Sequence, residues 1–252
     1  MNDLGAALAG ICEAAGAVIL PFWRAGVTVT AKADDSPVTE ADHRGEALIL
    51  EALARLWPDA PTISEEDASQ FGVPEAIGPR FFLVDPLDGT KAFVRGDKNF
   101  TVNIALIEHG RPIAGAVAAP ATGEVWYTHG PGAVKRTAAA GALPIRVRPW
   151  PEGSALAVLS HTMKEAAAMD LARTYRYSRR EQMDSSIKLC RIAEGAADIY
   201  PRHSPTMEWD IAAGHAVLAA AGGRLTTPEG APFDYGKADQ GFRNGWFVAR
   251  GG

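Results

Sequence analysis

The spacing of apolar and polar positions predicts helices in the first part of the chain and a buried strand after them. Residues 4–24 are rich in Ala, Leu and Ile, and apolar residues recur at helical spacing in residues 39–57. Residues 81–84 form a short apolar run before Asp85-Pro86. Because proline cannot donate to a strand ladder, we expect this strand to end at Pro86.

The middle of the chain has the pattern of an antiparallel sheet. Residues 101–107 and 112–118 predict two strands joined by a hairpin at residues 108–111, and residues 123–128 and 133–136 continue the pattern. A stretch rich in Gly, Pro and Ala follows at residues 131–151. We therefore place a loose boundary between an α+β part, residues 1–128, and an α/β part, residues 129–252.

The second part alternates strands and helices, which predicts helices layered on sheets. The predicted strands are residues 155–159, 175–177, 197–200, 224–227 and 246–249, and the predicted helices are residues 164–174, 185–194 and 209–221.

Composition narrows the function classes. The 252 residues carry a net charge of −5, which argues against a general nucleic-acid binder. Cys12 and Cys190 lie in apolar stretches and are expected to be reduced core residues. The N-terminus lacks the basic start of a secretory signal, and we expect no apolar run to approach the length needed to span a bilayer. We therefore expect a cytoplasmic protein without an integral membrane segment.

The strongest chemical signal is Asp85-Pro86-Leu87-Asp88-Gly89-Thr90, at the end of the predicted buried strand. The Asp-Gly turn places two carboxylates and a hydroxyl beside one small volume. Close carboxylates repel each other unless cations neutralise them, and Mg²⁺ prefers such oxygen ligands. The competing interpretation is a plain turn with Asp caps.

Three further acidic clusters occur at residues 39–42, 64–67 and 208–210. Each taken alone is better explained by helix capping or a solvated loop. Together they lie at junctions of loops with helices or strands, where side chains can converge on a cleft. The sequence contains no Gly-rich Walker phosphate loop, no His-Glu-x-x-His zinc pair and no calcium-binding loop.

The clusters, in this order, resemble the inositol monophosphatase-like superfamily. Four segments carry the resemblance: residues 32–42 (KADDSPVTEAD), 63–67 (ISEED), 85–90 (DPLDGT) and 208–214 (EWDIAAG). The resemblance implies a layered αβαβα sandwich of the inositol monophosphatase and fructose-1,6-bisphosphatase type, combining α/β and α+β character. It also implies a Mg²⁺-dependent phosphatase.

Within that superfamily the chain is most similar to bacterial 3′(2′),5′-bisphosphate nucleotidases. Lys91 follows the signature, residues 185–190 (SSIKLC) resemble the nucleotidase segment Ser-Ser-Leu-Lys-Phe-Cys, and residues 199–210 carry matching Tyr-Pro-Arg and Trp-Asp motifs. One departure is Asp184, where the family usually has Gly.

The resemblance implies a role for each matching residue. One Mg²⁺ would be held by Glu65, Asp85 and the Leu87 carbonyl, and a second by Asp85, Asp88 and Asp210. Asp42 and Glu65 would lie near a third ion or the attacking water, which Thr90 would orient. The predicted substrate contacts are Gly89, Thr90, Lys91, Ser185, Lys188, Arg202 and Asp210.

The implied substrate is adenosine 3′,5′-bisphosphate or its sulfated form, with lithium inhibition and a place in sulfur assimilation. The enzyme would act as a monomer or homodimer, with loose attachment to the inner membrane face left open. Ser185 and Lys188 are three residues apart, so on a helix they would share a face and could hold the uncleaved phosphate. For Lys188, Arg202 and Lys32 an ordinary exposed side chain is the competing interpretation.

Three alternatives stay open at this stage. An inositol or sugar phosphate could be the substrate on the same fold. A haloacid dehalogenase-type phosphatase would use a covalent aspartyl-phosphate, but two residues, Pro86 and Leu87, separate the aspartates here instead of one. A non-enzymatic nucleotide- or metal-binding regulator is the last alternative.

Overall fold

The computed structural model describes residues 3–25, 30–31 and 37–252. The helices are α1 (Leu4–Ala25), α2 (Glu40–Leu56), α3 (Glu65–Phe71), α4 (Thr90–Val94), α5 (Glu165–Tyr175), α6 (Ile187–Ala193) and α7 (Glu208–Ala220). The strands of the larger sheet are β3 (Thr62–Ser64), β4 (Arg80–Asp88), β5 (Thr101–Glu108), β6 (Arg111–Ala119), β7 (Glu124–His129), β8 (Gly132–Thr137) and β9 (Gly141–Ile145). The smaller sheet contains β10 (Leu156–Ser160), β11 (Arg179–Met183), β12 (Ile199–Arg202), β14 (Arg224–Thr226) and β16 (Phe247–Arg250). Two short pairs complete the fold, β1 (Thr30–Ala31) with β2 (Pro37–Val38) and β13 (Thr206–Met207) with β15 (Arg243–Asn244).

The larger sheet runs in the order β3-β4-β5-β6-β7-β8-β9 and is antiparallel apart from the β3–β4 pair. Its strands are apolar on both faces, as expected for a sheet covered by helices on each side. Phe82 and Val84 face a core shared with α1 and α2, whereas Phe81 and Leu83 face a core shared with α6 and α7. The alternation follows from the two-residue period of a strand.

The smaller sheet, in the order β11-β10-β12-β16-β14, covers the other side of α6 and α7. Its opposite face packs against α5 through Ala157, Leu159 and Leu171. The five layers are therefore α1 and α2, the larger sheet, α6 and α7, the smaller sheet, and α5. The predicted αβαβα sandwich is confirmed.

Glycines allow the layers to approach closely. A Cβ atom on Gly115 of β6 would lie 2.8 Å from the Ala213 carbonyl oxygen and 2.9 Å from the Ala216 Cβ of α7. A Cβ on Gly214 would lie 2.7 Å from a methyl carbon of Leu189, on α6. Both contacts hold α7 at the distance that places its first turn beside the end of β4.

Helix α1 corrects one expectation. Its segment Leu4–Trp23 is long and apolar enough to cross a membrane by length and composition, so the expectation that no such run exists is wrong. One face of the helix is buried against α2 and the larger sheet, through residues such as Leu8, Cys12 and Ile19. In this structure the segment packs as a core helix.

Three local predictions are also wrong. The strand predicted over residues 81–84 does not end at Pro86. It is part of β4, which continues to Asp88 through an irregularity in its pairing with β5. No strand occupies residues 175–177, since Tyr175 ends α5 and the strand begins at Arg179. The helix predicted at residues 185–194 begins only at Ile187, because Ser185 has a left-handed backbone with φ of 60°.

The division of the chain after residue 128 stays a prediction. The larger sheet extends to Ile145, and α7 packs on it from the second part of the chain.

Candidate active site

The site begins with the direction of the Asp85 side chain. Phe81 and Leu83 face α7, so the period of the strand directs Asp85 to the same side. The irregularity after Asp85 allows the backbone N–H of Leu87 to donate to Asp85 Oδ1 at 3.0 Å. Asp85 is 1% exposed. A carboxylate thus lies where β4 meets the central helical layer.

Asp88 lies farther along β4, opposite Thr101. Its Oδ2 accepts hydrogen bonds from the backbone N–H of Ser186 at 2.6 Å and from Asn103 Nδ2 at 3.3 Å, and the Thr101 hydroxyl donates at 3.4 Å. These donors connect the larger sheet to the segment that precedes α6.

Helix starts supply two more carboxylates. Glu65 is the first residue of α3, directly after β3, and Asp210 lies in the first turn of α7, where its Oδ2 accepts from the backbone N–H of Met207 at 2.8 Å. One carboxylate oxygen from each of Glu65, Asp85 and Asp210 lies within 4.8 Å of the others. These acids come from three elements far apart in sequence, and only the fold brings them together.

Burial and mutual repulsion disturb the ionisation of the cluster. Burial, together with the charges of Glu65, Asp88 and Asp210, holds the pKa of Asp85 well above its ordinary value. Burial and the neighbouring carboxylates likewise raise the pKa of Asp210 well above its ordinary value. Burial raises the pKa of Asp88, although Lys188 opposes the shift. Such a cluster favours the binding of protons or cations.

Asp42 approaches the same region from α2. Thr39 caps this helix, and its backbone N–H and hydroxyl donate to Asp42 Oδ2 at 2.8 and 2.6 Å. The Thr90 hydroxyl lies 3.4 Å from Asp42 Oδ1 and 3.1 Å from the Leu87 carbonyl oxygen. The capping interpretation of residues 39–42 is thus confirmed, and the capped carboxylate also contacts the signature turn.

An open cleft of about 370 Å³ adjoins the carboxylates. Of the residues singled out from the sequence, those that line it are Glu65, Asp88, Gly89, Thr90, Lys91, Ser185, Lys188, Arg202 and Asp210. Three further residues lie behind this lining. The Asp42 carboxylate and the Leu87 carbonyl lie 3.4 and 3.1 Å from the Thr90 hydroxyl. Asp85 lies beside Glu65 and Asp210, with carboxylate oxygens within 4.8 Å of one another. Gly89 has φ of 93°, and a Cβ there would lie 2.8 Å from the Asn99 carbonyl oxygen, so the turn requires glycine.

A buried cation, Lys188 of α6, lines the cleft. Lys188 is 4% exposed and its Nζ donates to the carbonyl oxygens of Ser185 at 2.6 Å and Met183 at 3.2 Å. Burial lowers the pKa of Lys188 to about 8, and Asp88 limits the shift. The Nζ also lies 5.2 Å from the centre of the Tyr200 ring. The helical face proposed for Ser185 and Lys188 is wrong, since Ser185 precedes the helix, yet both residues line the cleft.

Several residues of the site escaped the sequence analysis as site residues. Tyr200, Ser160, Thr162 and Thr206 line the cleft, and Asn103 contacts Asp88. Tyr200 accepts a hydrogen bond from Arg202 Nη1 at 3.1 Å. In the sequence, the signal that could have identified Tyr200 was its position two residues before a predicted cation. Lys32, and with it the start of the first motif, lies outside the described residues.

The layered fold and its acidic cleft define a class of phosphatases. The sequence model of the inositol monophosphatase family matches residues 2–246. The chain therefore belongs to the inositol monophosphatase family, and the resemblance inferred from its four motifs is confirmed. Membership in this family leaves no place for the haloacid dehalogenase-type alternative.

Individual relatives are more specific. The chain is 42% identical over 207 residues to the 3′(2′),5′-bisphosphate nucleotidase CysQ of Escherichia coli K12, covering 82% of each chain. It is 34% identical over 242 residues to the enzyme of the same name from Buchnera aphidicola, covering 95% of this chain and 90% of the relative. The crystal structure of CysQ from Bacteroides thetaiotaomicron matches with a TM-score of 0.79 at 30% identity, covering 97% and 96% of the two chains. An inositol monophosphatase from Zymomonas mobilis, at 24% identity and a TM-score of 0.77, shares the fold over 97% and 90%.

Proposed function

We propose that the protein is a Mg²⁺-dependent 3′(2′),5′-bisphosphate nucleotidase, which removes the 3′-phosphate of adenosine 3′,5′-bisphosphate, or of its sulfated form. The relatives named for this activity support the proposal, since they align over most of the chain. The observation that carries it is that clustered carboxylates and the buried Lys188 belong to one cleft. A substrate with two phosphates fits a cleft that offers both a carboxylate cluster for metal ions and a buried cation.

The carboxylates suit hard divalent cations. The donors are all oxygens, and three of them lie within 4.8 Å of one another in a partly buried place. Glu65, Asp85 and the Leu87 carbonyl would hold one Mg²⁺, and Asp85, Asp88 and Asp210 a second. When bound, such ions supply charge neutralisation and polarise the phosphoryl oxygens. The proposal covers two or three ions, with the third near Asp42 and Glu65.

The chain's own residues would orient the reactants. Asp42 is fixed by Thr39 and contacts the Thr90 hydroxyl, so the two can hold a water in line with the scissile phosphate. The Thr90 hydroxyl can donate to only one acceptor at a time, and Asp42 and Leu87 both compete for it. A proton leaving the water can pass to the Asp42 carboxylate through this contact.

The lining residues around Lys188 would bind the phosphate that is not cleaved. Lys188 and Ser185 face the cleft beside Lys91, and the backbone of Gly89 and Thr90 would contact the reacting phosphate. Arg202 is held by Tyr200 and by the carbonyl oxygens of Ser204 and Pro205. We include Arg202 as a second cation beside Lys188.

Cellular setting and assembly are parts of the proposal. Cys12 and Cys190 are free and buried, and burial raises the pKa of both thiols, so neither is a reactive thiolate. Free cysteines agree with a reducing cytoplasm. A monomer or homodimer, lithium inhibition and a place in sulfur assimilation stay predictions.

The decisive experiment compares adenosine 3′,5′-bisphosphate with adenosine 3′-monophosphate, which lacks the second phosphate. We expect Mg²⁺-dependent phosphate release from the bisphosphate, inhibited by lithium. Lys188→Met removes the charge but keeps the stem, and should raise KM for the bisphosphate by about tenfold to a hundredfold, the scale of one charge-assisted contact. KM for the monophosphate should change little.

The matched control is Lys98→Met, at an exposed lysine. This variant should leave KM unchanged for both substrates. Equal losses on the two substrates would count against a phosphate site at Lys188. Faster release from inositol 1-phosphate or fructose 1,6-bisphosphate than from the nucleotide would instead support the sugar-phosphate alternative.

A further inference from the structure

An acidic side chain lies in the wall of the cleft, outside the carboxylate cluster. Asp184 lines the same cavity as Ser185 and Lys188, and its side chain is 20% exposed. Its position immediately before Ser185 places it beside the proposed site for the uncleaved phosphate. An anion here opposes the binding of a second anion unless its charge is compensated.

Arg95 compensates this charge from the end of α4. The Arg95 side chain follows α4, and its Nη2 lies 2.8 Å from Asp184 Oδ2 and 2.8 Å from Asp97 Oδ2. The pair joins residues 89 positions apart, so it links the segment after the signature to the segment before α6. Both segments contribute to the cleft wall.

The backbone at Asp184 has no left-handed conformation. The left-handed residue in this segment is Ser185, with φ of 60°, and Asp184 is not among the residues with positive φ. The neighbouring turn is fixed separately, because the backbone N–H of Ser186 donates to Asp88 Oδ2 at 2.6 Å. The side chain of Asp184 therefore acts on the cleft through its charge and its pair with Arg95.

This inference rests on the proposed function. We propose that the ion pair of Arg95 and Asp184, here called the charge gate, sets the affinity of the cleft for the uncleaved 5′-phosphate. With Arg95 paired to it, Asp184 leaves Lys188 available to the incoming anion. Without Arg95, the Asp184 carboxylate competes with the phosphate for Lys188 and repels it. Arg95 and Asp184 are then specificity-determining residues that favour or oppose substrates carrying the second phosphate.

The test is a double-mutant cycle read by calorimetric binding of AMP, in Mg²⁺, to wild type, Arg95→Ala, Asp184→Asn and the double variant. AMP carries the 5′-phosphate and no phosphate to be cleaved. Arg95→Ala should weaken AMP binding about threefold to tenfold, the scale of one uncompensated charge in a partly hydrated cleft. Asp184→Asn should bind AMP as well as wild type or better, and the double variant should recover most of the loss.

A loop clamp without an electrostatic role gives a different pattern. Loss of either partner would then weaken binding equally, and the double variant would show no recovery, which would overturn the charge gate. Arg95→Lys, which keeps the charge, should bind AMP nearly as wild type does. The loss in Arg95→Ala should also shrink when ionic strength is raised from about 0.05 to 0.5 M, because salt screens the free carboxylate.

The matched control is Arg180→Ala on β11, an exposed arginine paired with Glu165 at 2.6 Å. It removes the same charge close in sequence to Asp184 and should leave AMP binding unchanged. Melting temperatures show that each variant is folded. Wild-type hydrolysis of adenosine 3′,5′-bisphosphate tests the proposed function separately: hydrolysis with a flat AMP cycle overturns the gate alone, whereas no hydrolysis overturns the proposed function.

Discussion

At the scale of single residues, Asp85 shows why the carboxylate cluster favours protons or cations. It is buried, faces other carboxylates and accepts a backbone hydrogen bond from Leu87. Because its pKa is raised in the folded chain, protonation of this one group stabilises the metal-free protein. Stability attributable to Asp85 is present below the ordinary pKa of about 4 and is lost as pH rises through the folded value.

Asp85→Asn tests this coupling. The amide keeps the acceptor for the Leu87 N–H and removes the charge, so the metal-free variant should melt at least about 2–4 °C higher than wild type at neutral pH, as expected for about 1 kcal/mol of relieved repulsion. The difference should widen as pH rises from about 5 to 8. Mg²⁺ should stabilise wild type, by about 2.7 kcal/mol at a hundredfold excess over Kd, but not the variant.

Differential scanning fluorimetry with EDTA and with Mg²⁺ gives all three results. Asp59→Asn, at an exposed acid, is the control and should change none of them. A metal-free Asp85→Asn protein that melts below wild type would contradict the account of repulsion.

At the scale of elements, α3 is held by a residue of α2. Glu46 is 6% exposed, and its Oε1 accepts from the backbone N–H groups of Glu66 at 3.1 Å and Asp67 at 3.3 Å. These N–H groups belong to the first turn of α3. The N–H groups of a first turn have no acceptor within their own helix, so Glu46 supplies one. The contact fixes the helix start that carries Glu65, although burial raises the pKa of Glu46.

Glu46→Ala should lower the free energy of unfolding by about 1–2 kcal/mol, because two buried donors lose their acceptor. It should also weaken Mg²⁺ binding about tenfold, since Glu65 loses its support. Glu46→Gln keeps an acceptor and should lose less of both. Urea unfolding and calorimetry well below the melting temperature measure the two effects.

Glu51→Ala, at an exposed position of the same helix, is the matched control for this prediction. If Glu46→Ala were destabilised with Mg²⁺ affinity unchanged, Glu46 would stabilise α3 without positioning Glu65.

At the scale of the whole molecule, α7 connects the two sheets. It packs on β6 through Gly115, contacts the smaller sheet through the central core, and carries Asp210 in its first turn. The position of one carboxylate of the cluster thus depends on contacts along the entire helix.

Gly115→Ala tests this dependence. The added methyl would lie 2.8 Å from the Ala213 carbonyl oxygen, so α7 or β6 must shift. We expect a loss of about 1–3 kcal/mol in unfolding free energy, together with weaker Mg²⁺ binding because Asp210 moves with the helix. Gly10→Ala, on α1 with no atom within 4 Å of the new Cβ, should instead stabilise by about 0.5–1 kcal/mol. Unchanged Mg²⁺ binding in Gly115→Ala would show that Asp210 is positioned locally.

The sequence by itself determined the elements and the places where chemistry could occur. Periodicity identified the major helices and strands, because each buries one face or alternates between two faces. The acidic motifs could be recognised from the sequence because each lies at the end of a helix or strand. Strand continuation through Pro86 was missed, since the irregularity that accommodates it depends on pairing with β5.

Only the tertiary structure decided which of these residues meet. The Asp88 contact with the Ser186 N–H spans 98 residues, and the Arg95 pair with Asp184 spans 89. Such contacts depend on the register between strands and on the distance at which α6 and α7 pack between the two sheets. Side-chain pattern specifies which face of an element is buried, whereas the partner across that face follows from how all the layers fit together.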